Sequence, residues 1–215
     1  AEFGWSSSDP GQTMPSANSL WSADRDVLSP ATPVTLTWDN GQGLQFTRRI
    51  SINDDYLFVF EDSVTSSLPG DITLYPYGLV RRHGTPATTG MYILHEGPLG
   101  VFDETLSEED YDDLRDAGAA GIKMTPETAG GWVGITDKYW LAALLPTQAK
   151  NYNFGFQSLT GNTDRYQVDF IDPNGLLLAA GGAITSESRM FAGANRVALL
   201  DSYAEQLHIP NCGVA

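Results

Sequence analysis

Gly130-Gly-Trp-Val-Gly-Ile-Thr-Asp-Lys-Tyr-Trp-Leu-Ala-Ala-Leu-Leu-Pro146 is the stretch on which the fold turns. Side chains alternate across a strand, so Tyr139, Leu141, Ala143 and Leu145 fall on one face and Trp140, Ala142 and Leu144 on the other. A strand apolar on both faces must be covered on both. The stretch therefore predicts a buried strand of a β-sandwich, with Gly131, Trp132, Tyr139, Trp140, Leu141, Leu144 and Pro146 in the core. Pro146 should end it, because proline has no N–H to give to a ladder. Nothing in this segment is chemically reactive.

Upstream, Ala1-Glu2-Phe3 has the look of a cloning remnant and is set outside the domain. Residues 4–32, rich in Ser, Pro, Asp and Gly, predict an irregular arm with a short strand near Leu20 and Trp21, pinned to the body by Trp5 and Trp21. Val34, Leu36 and Trp38 then alternate with threonines, Asn40-Gly41 signals a hairpin, and a second alternating run spans Leu44 to Ile52. Asn53-Asp-Asp55 turns the chain into Tyr56–Phe60. Ile72 and Leu74 open a further strand, in which Pro76 and Gly78 predict an edge or a bulge.

Met91 to Phe102 predicts a strand pair. A short helix should follow, capped by Ser107 with Asp110 reaching back, stapled by Leu106 and Tyr111, and stopped at Gly118. Its acidic residues read as a solvated face, since they lack the alternating ligand pattern of a calcium loop. Beyond Pro146, alternation resumes over Tyr152–Gln157 and Tyr166–Ile171, Asp172-Pro-Asn-Gly175 makes a turn, and Leu176–Ala180 and Ile184–Phe191 add strands. Val197, Leu200, Ala204 and Leu207 have helical spacing, giving a terminal helix over about 195–208 that Pro210 ends. Residues 4–210 thus read as one mainly antiparallel β-sandwich domain with a short inserted helix and a C-terminal helix, and 211–215 as a tail.

The net charge is −15 and the 12 Lys and Arg form no stripe, which argues against a nucleic-acid partner. No run approaches the roughly eighteen apolar residues that a membrane-crossing helix requires. The one cysteine, Cys212, cannot form an internal disulfide. His83, His95 and His208 are isolated, so neither a zinc site nor any other metal site is expected, and no nucleophile motif or phosphate loop occurs. His95-Glu96 would point to opposite faces of a strand. Carboxylates that meet only in space are invisible at this level. The residues favour a non-catalytic domain that uses no cofactor.

The central stretch is similar to the Gly-Gly-Trp-Val…Tyr-Phe/Trp…Ala…Ile/Leu-Pro segment of the large periplasmic domain in the bacterial YidC branch of the YidC/Oxa family of membrane protein insertases. Thr37-Trp-Asp-Asn-Gly41 through Asp55-Tyr56 resembles the hairpin before that family's Asp-Tyr strand. Leu74-Tyr-Pro-Tyr-Gly-Leu-Val-Arg81 and His95-Glu-Gly-Pro-Leu-Gly-Val101 resemble its alphaproteobacterial version. Arg189-Met-Phe-Ala-Gly-Ala194 is similar to the Phe/Trp-Val-Gly-Pro stretch ahead of the final helix, although Ala194 and Asn195 depart from the family's Pro and Lys. The resemblance implies a galactose mutarotase-like β-supersandwich in the periplasm, attached to a multi-pass inner-membrane protein that inserts and folds membrane proteins without a cofactor. It implies contact with Sec translocon components or nascent membrane proteins, and it points to Arg196, Tyr203 and Gln206 on the terminal helix as exposed contact positions. A carbohydrate-binding module and an aldose epimerase-like enzyme are the alternatives on the same fold.

Overall fold

A computed structural model describes residues 1–86, 95–159, 163–195, 197–207 and 209. Two antiparallel sheets face each other. The smaller runs in the order β1 (Glu2–Ser7), β6 (Ile72–His83), β13 (Arg165–Ile171), β12 (Asn153–Leu159) and β9 (Ile122–Met124), with β14 (Leu176–Leu178) also paired to β6. The larger runs in the order β2 (Ser22–Ala23), β3 (Val34–Asp39), β4 (Leu44–Ile52), β5 (Leu57–Ser66), β15 (Ala183–Ala194), β11 (Trp140–Pro146), β10 (Trp132–Thr136), β7 (Pro98–Phe102) and β8 (Thr105–Glu108). Helix α1 (Tyr111–Ala117), a single 3-10 turn at Gly118–Ala120 and helix α2 (Val197–Leu207) complete the described elements.

The decisive stretch is a hairpin near the middle of the larger sheet, with Val133 opposite Leu144 and β11 paired to β15 on its far side. Val133, Ile135 and Leu144 pack into the layer between the sheets, against Phe154, Phe156, Tyr166 and Val168. Trp132, Leu141, Ala143 and Leu145 pack outward, against Leu200 and Tyr203 of α2. The two apolar faces of β11 are therefore covered by different partners, one by a sheet and one by a helix. Each large side chain buried this way contributes about 1.5–3 kcal/mol. A third cluster, around Trp5, Phe46 and Leu74, closes the other end of the sandwich.

Tyr139 and Trp140 are corrections to the predicted core: they are 64% and 63% exposed. Asp137 and Trp140 bracket a tight turn, with the Asp137 N–H donating to the Trp140 carbonyl at 2.8 Å. The polar pair Asp137-Lys138 breaks the ribbon into two strands, so two-sided burial begins only at Leu141. Glu2 and Phe3, set outside the domain above, form the start of β1, and Phe3 is buried in the interlayer core.

Pro76 and Gly78 lie within a central strand, not at an edge. β6 is flanked on one side by β1 and on the other by β13 and then β14. Pro76 falls in the gap between the last β13 partner, Tyr77, and the first β14 partner, Leu74, where it donates nothing and its carbonyl accepts from the Asp172 N–H at 3.0 Å. Gly78 permits a close approach: a Cβ there would sit 2.5 Å from Phe170 Cε1 and 2.9 Å from Phe3 Cδ1.

The inserted helix starts later than expected. Ser107 belongs to β8, opposite Gly100, and its hydroxyl donates to Glu109. Asp110 is the extended residue before the first turn and makes no side-chain cap. Leu106 is likewise in β8, so it does not staple Tyr111. Gly118 ends the helix at φ +60°, as its lack of a Cβ allows. In the arm, Trp5 is buried and Trp21 packs near Trp38, while the short strand forms at Ser22–Ala23 and Leu20 is exposed. Of the pair predicted over Met91–Phe102, β7 is present, and residues 91–94 lie outside the described residues.

Candidate interaction surfaces

A hollow of about 590 Å³ opens on the inner face of β4, β5 and β15 beneath the N-terminal arm. Phe3, Trp21, Phe58, Phe60, Arg48 and Tyr77 are among its lining residues. Its arginine and its tyrosine are both engaged by carboxylates. Arg48 forks onto Asp62 with Nε and Nη2 at 2.6 and 2.8 Å, and its guanidinium lies 5.8 Å from the Trp21 ring centroid. Tyr77 donates to Glu2 Oε1 at 2.9 Å; burial first, and then the Glu2 carboxylate, push its phenol up to about 12. A sugar site needs unengaged polar groups converging beside an aromatic platform, and here they are paired.

Among the described residues, no histidine lines this hollow. His83 ends β6 opposite Arg165, and His95 bonds the Pro98 carbonyl at 2.9 Å through Nε2. His208 and Cys212 lie outside the described residues. No group of three or more His, Cys, Asp or Glu among the described residues is placed to hold a metal ion.

The terminal helix tells a different story from its sequence reading. Tyr203, expected at the surface, is buried at 6% exposure, edge-on to Phe191 at 6.1 Å, and its hydroxyl accepts from Asn53 Nδ2 at 2.9 Å. Burial raises its phenol above the ordinary value, and the nearby Asp55 charge adds to this. Gln206 is exposed, beside Glu205, and Arg196 lies outside the described residues. Asn53, read from sequence only as a turn residue, is the link. Its Oδ1 accepts from the Asp55 and Leu57 N–H groups at 3.0 and 2.9 Å, while its amide holds the helix. Sequence reasoning had the turn but no means of seeing a partner 150 positions away.

That turn projects Tyr56, which is 60% exposed and held at φ +62°. Tyr56 accepts the Ala192 N–H through its carbonyl at 3.2 Å, and Tyr139 accepts the Asn195 N–H at 2.8 Å. Three exposed aromatic residues, Tyr56, Tyr139 and Trp140, thus stand at the end of β15 where α2 begins. Between the 54–56 turn and α2 runs a hollow of about 290 Å³, floored by Phe191, Ala192 and Ala194 and walled by Leu199 and Trp140. Among the described residues, no helix is long and apolar enough to cross a membrane.

These features define a class: a two-sheet antiparallel supersandwich whose C-terminal helix is part of the core of the larger sheet. Solved structures agree on the fold. A galactose mutarotase related enzyme from Lactobacillus acidophilus superposes with TM-score 0.55 at 13% identity, over 81% of this chain and 71% of that one. A GH36 α-galactosidase, AgaA of Geobacillus stearothermophilus, gives TM-score 0.55 at 9% identity over 96% of this chain and 32% of its own. At such identities the likeness concerns fold alone.

The model of the YidC periplasmic domain matches residues 1–209, and the chain belongs to that family. It is similar to proteins named membrane protein insertase YidC: 45% identical over 216 residues to that of Methylobacterium radiotolerans, covering 97% of this chain and 35% of the relative. Identity to the Rickettsia felis protein is 38% over 210 residues, covering 97% and 37%. The chain spans about a third of the length of these curated relatives. It is a periplasmic domain.

Proposed function

We propose that this domain is the periplasmic accessory part of a multi-pass inner-membrane protein insertase, and that it acts by protein–protein contact, with the Sec translocon or with nascent membrane proteins, rather than by catalysis. The observation that supports this best is the contrast between the two surfaces. Arg48 and Tyr77 of the large hollow are already engaged by carboxylates of the chain, whereas large aromatic side chains stand exposed around the start of α2. Exposed aromatics at a rigid, concave edge are the usual anchors of protein contacts. Gln206, and Arg196 by its place in the sequence, remain contact positions in this reading; Tyr203 does not, because it is buried.

The test is photo-crosslinking from single surface positions in the full-length protein in cells. Adducts to translocon subunits or to a nascent membrane protein are expected from positions around α2, and a clean negative across the whole surface would sink the reading. A panel of sugars in a calorimeter checks the alternatives on this fold: saturable heat would favour a carbohydrate-binding module, and anomer interconversion an epimerase.

A further inference from the structure

We propose that the groove between the Asp54–Tyr56 turn, Trp140 and α2 is a docking site for a polypeptide segment that presents a large apolar side chain flanked by lysine or arginine. This rests on the contact reading above and names the partner's chemistry. The floor of the groove is Phe191, Ala192 and Ala194, with Leu199 on one wall. At the centre of the floor the Ala192 N–H is already engaged, donating to the Tyr56 carbonyl. An apolar side chain is therefore the group it can hold at least cost.

The rim decides what must lie beside that side chain. Asp54 and Asp55 are exposed lining residues, and among the described residues no lysine or arginine lines the groove. Asp137, on the other side of Trp140, is already joined to Arg82 at 2.5 Å, so the carboxylates left to meet a partner are those of the turn. A cation next to the apolar anchor satisfies them and can also lie over the open face of Trp140 or Tyr56. The same charges disfavour an anionic lipid surface, on a chain that carries −15 overall.

Tyr56 supports the assignment independently. A non-glycine residue at φ +62° is strained, and such strain persists only where the surroundings impose it. Here the strained backbone holds a largely exposed ring at the lip of the groove. The Asn53 side chain that fixes this turn also holds Tyr203, so the lip and α2 form one rigid unit, with little ordering left to do on binding.

The test uses this chain and a fluorescein-labelled peptide, Lys-Lys-Leu-Phe-Leu-Lys, with Glu-Glu-Leu-Phe-Leu-Glu as its charge-reversed control, read by anisotropy. The cationic peptide should bind and the control should not. Trp140→Ala should weaken binding at least tenfold, and Asp54→Asn with Asp55→Asn several-fold, with a shallower salt dependence. Tyr56→Gly should weaken binding while leaving thermal stability unchanged or higher, a combination that a merely folding-related defect would not give. Equal binding of both peptides, or binding untouched by Trp140→Ala, overturns the proposal. So does Trp140-dependent adsorption to phosphatidylglycerol vesicles in place of peptide binding. If crosslinks in cells come only from surfaces remote from this groove and the peptide does not bind, the groove fails and the contact reading survives. If no position crosslinks, the contact reading fails whatever the peptide does.

Discussion

Replacing Asn53 with alanine removes three hydrogen bonds at once: two accepted by Oδ1 from the Asp55 and Leu57 N–H groups and one donated to the Tyr203 hydroxyl. A hydrogen bond contributes about 0.5–1.5 kcal/mol net. The bond to the Asp55 N–H is exposed and sits at the low end, so the sum comes to about 2–3 kcal/mol. For a domain of this size each kcal/mol moves the melting temperature by roughly 2–4 °C, which puts Asn53→Ala roughly 4–12 °C below the parent. Tyr203→Phe removes only the bond between turn and helix and keeps the ring against Phe191, so it should cost about 1 kcal/mol. Urea denaturation followed by tryptophan fluorescence measures both. Hydrogen exchange should show α2 amides losing protection in each variant, but turn amides only in Asn53→Ala. Equal destabilisation by the two substitutions, or a loss below about 0.5 kcal/mol for Asn53→Ala, would refute the assignment of Asn53 as the joint between turn and helix.

Three other outcomes are expected. Leu144→Ala, fully buried in β11, should cost about 2–5 kcal/mol, whereas Trp140→Ala four residues earlier should change stability by no more than about 0.5 kcal/mol; chemical denaturation of the pair checks where two-sided burial begins. Gly78→Ala should cost about 1–3 kcal/mol by thrusting a methyl group between Phe170 and Phe3, and a calorimetric scan that matches the parent would contradict that packing. The Asp169 carboxyl is raised above its ordinary value, first by burial, with the amide of Gln167 opposing. An acid with a folded pKa above its unfolded one loses stability as pH rises through the folded value. Asp169→Asn should therefore gain on the parent more at pH 7 than at pH 4 in thermal unfolding, and a pH-independent difference would contradict the burial.

What could be read from the residues alone divides along physical lines. The apolar alternation of Leu141–Leu145 and Tyr152–Gln157 reports on a strand's own faces, and those strands lie where the alternation puts them. The resemblance to the YidC periplasmic domain, carried by the order of several short segments, agrees with the family match over residues 1–209. Tyr139 and Trp140 were misplaced because the buried run was started inside the Asp137–Trp140 turn, where both side chains are still exposed. Pro76 was misplaced because the gap that tolerates it is made by two strands far downstream, between Ile171 of β13 and Leu176 of β14.

Tyr203 was within reach. It lies three residues after Leu200 and four before Leu207, on the same buried stripe of α2. The aromatic groove at the start of α2 had no local signal, since Asp54–Tyr56, Trp140 and Leu199 come from three distant parts of the chain. Only the pairing of β15 with both β5 and β11 brings them together.

Helix α2 is one of the two lids on β11, and that has a mechanical meaning. Tension applied at its end is shared by Leu200, Tyr203 and the strands they sit on. The helix and the sandwich must then travel as a single lever, so any swivel of this domain has to be located outside Val197–Leu207. Prising that lever loose would bare a strip of Trp132, Leu141, Ala143 and Leu145, an oily seam that invites clumping.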